Sequence, residues 1–328
     1  MKKYCILAIL CCFSYLAAAQ TPVEKGLESI NRASAEAYIG FLAHDELQGR
    51  EAGYHGSKVA AQYIASLLQA MGVQPLGDNY FQPFEAYRRE RQKKVHPDSI
   101  ALFSKEVHQK LPMTNVLGII PGKNVNEYAI IGAHFDHLGI DPALDGDQIY
   151  NGADDNASGV SAVLQIAKAF IASGKQPERN IIFAFWDGEE KGLLGSKFFI
   201  QTCPFISQVK GYLNFDMIGR NNKPQQPMHV VYFHTEANAA FGKWLKEDIK
   251  KYNLRLEPDY RPWDNPIGGS DNGSFAKAGV PIIWYHTDGH PDYHQPSDHA
   301  DRLNWEKIVE ITRASFLNAW NLANEKEY

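Results

Sequence analysis

From about residue 115 to the C-terminus, short apolar runs alternate with segments of helical periodicity, and this alternation strongly constrains the fold. Continuous apolar runs, typical of strands buried on both faces, stand at 128–133 (YAIIGA), 181–186 (IIFAFW) and 281–285 (PIIWY), with two shorter strands predicted over 212–216 and 229–233. Apolar residues at helical spacing predict helices over 160–171, 244–254 and 303–322. The pattern predicts an α/β fold, a three-layer sandwich whose central, mainly parallel mixed β-sheet is flanked by helices.

The N-terminal third has a different pattern. Residues 27–71 show helical periodicity interrupted by a glycine-punctuated loop, and 85–110 are polar and charge-dense, as expected of a solvated loop or an edge-strand face. With 328 residues, 44% of them hydrophobic, the chain is neither disordered nor collagen-like. We expect one domain over 20–328, with a helical and loop segment at about 22–110 and a catalytic core at about 111–328.

The first 19 residues have the composition of an export signal. A basic start at Lys2 and Lys3 precedes an apolar stretch over 4–16, and three alanines lead to Gln20. We therefore predict cleavage near Ala19–Gln20 and a periplasmic or secreted protein without a stable membrane anchor. A lipoprotein modified at Cys11 or Cys12 is the less favoured alternative, because the preceding Leu10 is bulky where a small residue is expected.

The net charge limits the possible binding partners, and the number of cysteines limits how the fold can be stabilised. The formal net charge of −5 disfavours electrostatic binding of nucleic acid or anionic lipid over a large surface. Removal of the signal leaves Cys203 as the last of four cysteines, so an internal disulfide is excluded in the mature chain. Stability must then come from core packing, with bound metal as a further contributor. Oligomeric state is left open by the sequence.

Acidic and imidazole residues fall where predicted strands end or helices begin. Five segments share this placement: 134–137 (HFDH), 152–156 (GADDN), 187–190 (DGEE), Asp216, and 292–294 (DYH). Each alone has an ordinary structural explanation, such as a helix cap or a solvated loop. Parallel strands place their carboxyl ends at one edge of the sheet, however, and binding and catalytic sites of such sheets are usually found there. The coincidence of five segments there favours a metal site, with His286, His290 and His299 expected to lie outside it.

The same segments resemble the M28 family of zinc peptidases, in its exported bacterial type of aminopeptidase. The resemblance rests on HFDHLG (134–139), GADDNASG (152–159), WDGEEKGLLGS (186–196), NFDMIGR (214–220) and DYHQPSDHAD (292–301), in that order. It implies two Zn²⁺ ions bridged by Asp155. His134 and Asp216 would bind one ion, and Glu190 and His294 the other.

The resemblance also implies roles around the metals. Glu189 would be the general base for a hydroxide bridging the ions, and Asp136 would support the His134 imidazole. Tyr293 is a candidate donor to the oxyanion, and the Asp155–Asn156 peptide bond is expected to be cis. Glu189 and Glu190 cannot both face the metals from a regular strand, so they must lie beyond its end, after Gly188.

One stretch departs from the resemblance. Many relatives read Ser-Asp-His where this chain has Ser270, Asp271 and Asn272, which we predict to lie at the substrate pocket. The expected function is an exported di-zinc exopeptidase that hydrolyses the N-terminal peptide bond of peptides with a free N-terminus. A single-zinc glutaminyl cyclase and a zinc carboxypeptidase of the same fold remain alternatives, as does a non-catalytic binding module. A serine hydrolase is disfavoured, because the chain has no Gly-x-Ser-x-Gly motif.

Overall fold

The computed structural model describes residues 20–89, 108–263, 269–326 and 328. The predicted signal peptide (1–19) and most of the charge-dense stretch therefore lie outside the described residues. The helices are α1 Pro22–Ser29, α2 Arg32–Leu42, α3 His55–Met71, α4 Gly159–Ser173, α5 Leu194–Thr202, α6 Ala239–Tyr252, α7 Asn272–Lys277 and α8 Trp305–Asn324. In the described part of the chain, none of these helices has the length and apolarity needed to cross a membrane.

The strands form one large mixed sheet and a short hairpin. The strands are β1 Gln74–Pro75, β2 Phe81–Arg89, β3 His108–Ile120, β4 Asn124–His134, β5 Gly139–Ile140, β6 Ile149–Tyr150, β7 Arg179–Trp186, β8 Val209–Phe215, β9 His229–His234, β10 Glu257–Pro262 and β11 Ile282–His286. The large sheet runs β1-β3-β7-β4-β8-β11-β9-β10, with β2 paired to β3, while β5 pairs with β6. The predicted α/β class is confirmed.

The centre of the sheet is parallel and its margins are mixed. Strands β7, β4, β8 and β11 are parallel neighbours, whereas β3 pairs antiparallel with β7 and β9 pairs antiparallel with β11. The ends of the charge-dense stretch form β2 and β3, and β2 lies beside β3 off the main strand order. Part of that stretch is thus an edge strand, as its polar composition indicated.

Both faces of the central strands are buried, which accounts for their unbroken apolar runs. Along β4, Ile131 joins the apolar cluster shared with α4 and α8, while the adjacent Ile130 joins the cluster shared with α5 and α7. The same alternation holds for Ile181 and Ile182 in β7. Helices cover the two faces, and this gives the predicted three layers.

The N-terminal helices are part of this packing. Gly26 of α1 is buried, and a Cβ atom there would lie 2.4 Å from the Phe316 ring of α8 and 3.0 Å from the Ala169 carbonyl oxygen of α4. Gly40, in α2, has open space at the same position. The close approach of α1 to α4 and α8 therefore depends on the missing side chain of Gly26.

We predict that Gly26→Ala lowers the free energy of unfolding by about 1–3 kcal/mol, because the added methyl group must displace the Phe316 ring. Gly40→Ala is the matched control, and it should leave stability unchanged or raise it by up to about 1 kcal/mol through helix propensity. Urea unfolding followed by circular dichroism measures both. Equal stability of the two variants would contradict this packing of α1.

Candidate metal centre

The carboxyl ends of the parallel strands bring the sequence-predicted segments together. His134 is the last residue of β4 and pairs in register with Trp186, the last residue of β7. In β8, Phe215 pairs with Ala133 on one side and with Tyr285 of β11 on the other. The residues that follow these strand ends therefore emerge at one edge of the sheet, called the carboxyl edge below.

Five predicted ligands meet at the carboxyl edge. The Nε2 atom of His134 lies 3.3 Å from Oδ1 of Asp155 and 3.6 Å from Oδ1 of Asp216. The Nε2 atom of His294 lies 3.2 Å from Oδ2 of Asp155 and 3.2 Å from Oε2 of Glu190. The two carboxylate oxygens of Asp155 thus face two separate groups of donors, as a bridging ligand requires.

Backbone geometry after β7 sets the direction of the two glutamates. Strand β7 ends at Trp186, and Gly188 follows with a φ of +75°. A Cβ atom at Gly188 would lie 2.9 Å from Sδ of Met113, so this turn also needs the space that glycine leaves. Glu189 and Glu190 lie beyond the strand, where both side chains can reach the carboxyl edge.

Asp155 is held by its backbone. Its N–H donates to Oδ2 of Asp298 (3.0 Å), and its peptide bond to Asn156 is cis. The Asn156 side chain donates to the Phe215 carbonyl oxygen at 2.9 Å, which ties this turn to the end of β8. The turn before α4 is thereby fixed against the strand that leads into Asp216.

Asp136 contacts the His134 imidazole through its main chain. Its Nδ1 lies 3.2 Å from the backbone carbonyl oxygen of Asp136 but 3.8 Å from that residue's carboxylate. The carboxylate instead accepts the backbone N–H of Glu189 at 3.0 Å. The structure thus shows Asp136 acting on both neighbours, fixing the His134 tautomer through its main chain and the Glu189 backbone through its side chain.

Burial and close packing shift the pKa values of the acidic and imidazole groups at this site. Burial raises the pKa of Glu189 to about 10, and the carboxylates of Asp216, Asp271 and Glu190 add to the rise. Burial disfavours the charged form of His134, yet the facing Glu189 and Asp216 outweigh it and raise its pKa well above the ordinary value. Carboxyl groups packed this closely stay ionised only beside cations.

The ligand atoms of these residues have the chemistry and the spacing that zinc requires. Two atoms bound to a tetrahedral zinc at about 2.0–2.1 Å are about 3.3 Å apart, and the contacts of His134 and His294 with Asp155 measure 3.3 and 3.2 Å. Imidazoles and carboxylates without thiolates suit zinc held for hydrolysis. In the described part of the chain, two groups have ligand atoms that all lie within 4.8 Å of one another: His134, Asp155 and Asp216, and His137, Asp155 and Glu190.

A salt-bridged loop carries His294 to the edge. The carboxylate of Asp292 accepts hydrogen bonds from Arg220 (2.6 Å), Ser297 (2.6 Å) and Arg302 (2.7 Å). Although burial alone would raise it, these partners lower the pKa of Asp292 to about 2. The two arginines tie the loop to the segment after β8 and to the segment before α8, and His294 follows with a φ of +54°.

A cavity of about 290 Å³ opens beside the ligands. Met217, Trp284 and Tyr293 are among its lining residues, together with His286, which was expected to lie outside the site. The predicted pocket residues Ser270, Asp271 and Asn272 are fully buried and do not line the cavity, whereas Gly269, which precedes them, does. Ser270 accepts a hydrogen bond from Asn214, which ties this stretch to β8.

Two buried residues of the site were missed in the sequence. Arg50 is 1% exposed, and its guanidinium donates to the carbonyl oxygens of Phe135 (2.8 Å), Asn151 (2.7 Å) and Gly152 (3.0 Å). It thereby joins the segments that carry the ligands. His137 lies 2.7 Å from Glu190, and its position in the HFDH segment was the signal that could have identified it.

Comparison with known proteins agrees with this geometry. The model of Peptidase family M28 matches residues 115–318. Leupeptin-inactivating enzyme 1 of Streptomyces exfoliatus is 32% identical over 51% of this chain and 34% of its own length. A probable leucine aminopeptidase of Arthroderma otae is 28% identical over 67% of this chain and 60% of its own. The chain spans between a third and two thirds of the length of these curated relatives.

Solved structures share the fold. The LapA aminopeptidase of Legionella pneumophila superposes with a TM-score of 0.70 at 23% identity, covering 93% of this chain and 75% of LapA. BSAP, a zinc aminopeptidase from Bacillus subtilis, gives a TM-score of 0.69 at 15% identity, covering 91% and 97%. Because the family model matches well over half of the residues, and the site is assembled from segments within that match, the chain belongs to peptidase family M28.

Proposed function

We propose that this protein is an exported di-zinc aminopeptidase that hydrolyses the N-terminal peptide bond of peptides. The observation that carries the proposal is the division of the Asp155 carboxylate between two donor groups, one with His134 and one with His294, at ligand-to-ligand separations of 3.3 and 3.2 Å. Membership of family M28 supports peptide substrates. Export rests on the predicted signal over 1–19, with lipidation at Cys11 or Cys12 as the alternative.

In the proposed reaction, the zinc ions and the residues of the chain have different roles. When bound, zinc lowers the pKa of a water molecule and polarises the scissile carbonyl. Glu189, which lines the cavity, takes the proton of the attacking water and passes it to the leaving amine. Burial raises the pKa of Glu189 to about 10, and neighbouring carboxylates add to the rise. Cations bound beside Asp155 would favour the carboxylate form that this role needs.

Tyr293 is placed to assist at the substrate carbonyl. Its ring stacks on His294 with centroids 3.9 Å apart, it lines the cavity, and it is 45% exposed. Burial raises its pKa, and the carboxylates of Asp155 and Glu190 raise it further, so the phenol keeps its proton. We propose that this hydroxyl donates a hydrogen bond to the oxyanion formed from the carbonyl oxygen.

The cavity gives room for the first side chain of the peptide. Its volume of about 290 Å³ and the apolar surfaces of Met217 and Trp284 suit an apolar residue. The free α-amino group would meet the carboxylates of Glu189 and Asp216, both of which line the cavity. A blocked N-terminus would lose that ionic contact.

A panel of peptides tests the proposed function. We expect hydrolysis of peptides with a free N-terminus, no hydrolysis after N-acetylation, unchanged hydrolysis after C-terminal amidation, and loss of activity with a chelator. Mass spectrometry of a peptide with N-terminal glutamine separates addition of water from loss of ammonia. Cleavage that requires a free C-terminus, or loss of ammonia alone, would replace the proposal with a carboxypeptidase or a cyclase.

We predict that Glu189→Gln keeps the fold and the metal content but lowers kcat by about 10²–10⁴-fold, because only the proton carrier is lost. The matched control is Glu178→Gln, which alters an exposed ion pair with Lys123. Steady-state kinetics and metal analysis measure both variants. Full turnover in Glu189→Gln would refute the assignment of the base.

We predict that Asp155→Asn releases both ions and lowers the thermal unfolding temperature, because the bridging carboxylate serves both positions and metal binding stabilises the folded chain. Elemental analysis after dialysis, combined with calorimetry, measures this. The exposed Asp301→Asn variant should retain both ions. Two zinc ions still bound to Asp155→Asn would show that the residue does not bridge them.

A further inference from the structure

His137 is a buried imidazole whose ring has one fixed position. It is 1% exposed, and its backbone N–H donates to the Arg50 carbonyl oxygen at 3.2 Å. The ring packs against Gly152, where an added Cβ atom would lie 2.6 Å from it, and against Tyr150 at 6.5 Å between centroids. The residue thus has little freedom to turn away from its polar neighbours.

The polar neighbour in closest contact is Glu190. The Nδ1 atom of His137 lies 2.7 Å from Oε1 of Glu190, while Nε2 of His294 lies 3.2 Å from Oε2 of the same carboxylate. An ionised carboxylate offers only acceptor atoms. His137 must therefore carry its proton on Nδ1 and donate it to Oε1.

The distances from His137 and His294 to the carboxylates distinguish a hydrogen-bonding partner from a metal ligand. A contact of 2.7 Å is the length of a charge-assisted hydrogen bond, shorter than the about 3.3 Å expected between two ligands of one tetrahedral zinc. His137 is also 3.8 Å from Oδ2 of Asp155, whereas His294 is 3.2 Å from that oxygen. His294 therefore has the better ligand geometry, and His137 faces the outer oxygen of Glu190.

We propose that His137 is a positioning residue for one of the two metal positions. Its hydrogen bond to Oε1 holds Glu190 so that Oε2 faces Asp155 and His294. This inference rests on the proposed metal centre. Among the described residues, the ligand atoms of His137, Asp155 and Glu190 lie within 4.8 Å of one another, and those of His134, Asp155 and Asp216 form a separate group of the same kind. The effect of His137 should therefore be confined to the position served by Glu190 and His294.

The test is zinc binding by the metal-free protein, measured by isothermal calorimetry and independent of peptidase activity. His137→Leu removes the donor and keeps an apolar side chain against Gly152. His137→Asn places an amide N–H near the position of Nδ1. We expect His137→Leu to weaken one zinc position by about 10–100-fold while the other is unchanged, and His137→Asn to bind both ions within a few-fold of wild type.

Matched controls are His55→Leu and His55→Asn, which change an exposed histidine at the start of α3. Both should bind two ions as wild type does. Circular dichroism and thermal unfolding of the metal-free proteins compare their folds, and the asparagine variant gives a second measurement if the leucine variant unfolds.

Three results would overturn the inference alone: two unchanged zinc positions in His137→Leu, equal weakening of both positions, or no recovery in His137→Asn. Failure of the wild-type chain to take up a second ion is a different outcome. It would refute the di-zinc proposal, and the role of His137 would fall with it.

Discussion

The site depends on keeping several carboxyl groups together with imidazoles at the edge of a sheet, largely out of water. Asp136, Asp155 and Asp216 are each less than a tenth exposed, and the side chains of Glu189 and Glu190 point into the same cluster. Such a group repels itself unless positive charge is supplied. In the described part of the chain, Arg50 is a buried cation close to it, but its hydrogen bonds go to main-chain carbonyl oxygens. Metal ions are the compensation that the donor set fits.

The sheet provides the rigidity that this arrangement needs. Each ligand lies at or after the end of a central strand, precedes α4, or lies on the loop that Asp292 ties to two arginines. Packing and hydrogen bonds of these elements therefore set the position of each ligand. The Asp298 carboxylate accepts the N–H groups of Asp154 and Asp155, and the Asn156 side chain reaches the end of β8. Metal ligands held in this way need little reorganisation on binding, which favours affinity and a defined geometry.

Much of this could be predicted from the sequence, for identifiable physical reasons. Runs such as IIFAFW indicate strands buried on both faces, and parallel strands place their ends together, so the location of Asp187–Glu190 at the carboxyl edge follows from the residue pattern. The individual partners could not be predicted. That Asp136 supports His134 by its carbonyl oxygen and Glu189 by its carboxylate depends on turn geometry that residue spacing does not encode. Burial of Asp271 and the contact of His137 with Glu190 depend on packing between distant segments.

Zinc-edge anomalous diffraction from crystals of the protein purified with zinc tests the central claim most directly. The account predicts two peaks on either side of the Asp155 carboxylate, one beside His134 and Asp216 and the other beside Glu190 and His294. A single peak, or peaks that do not contact Asp155, would contradict it.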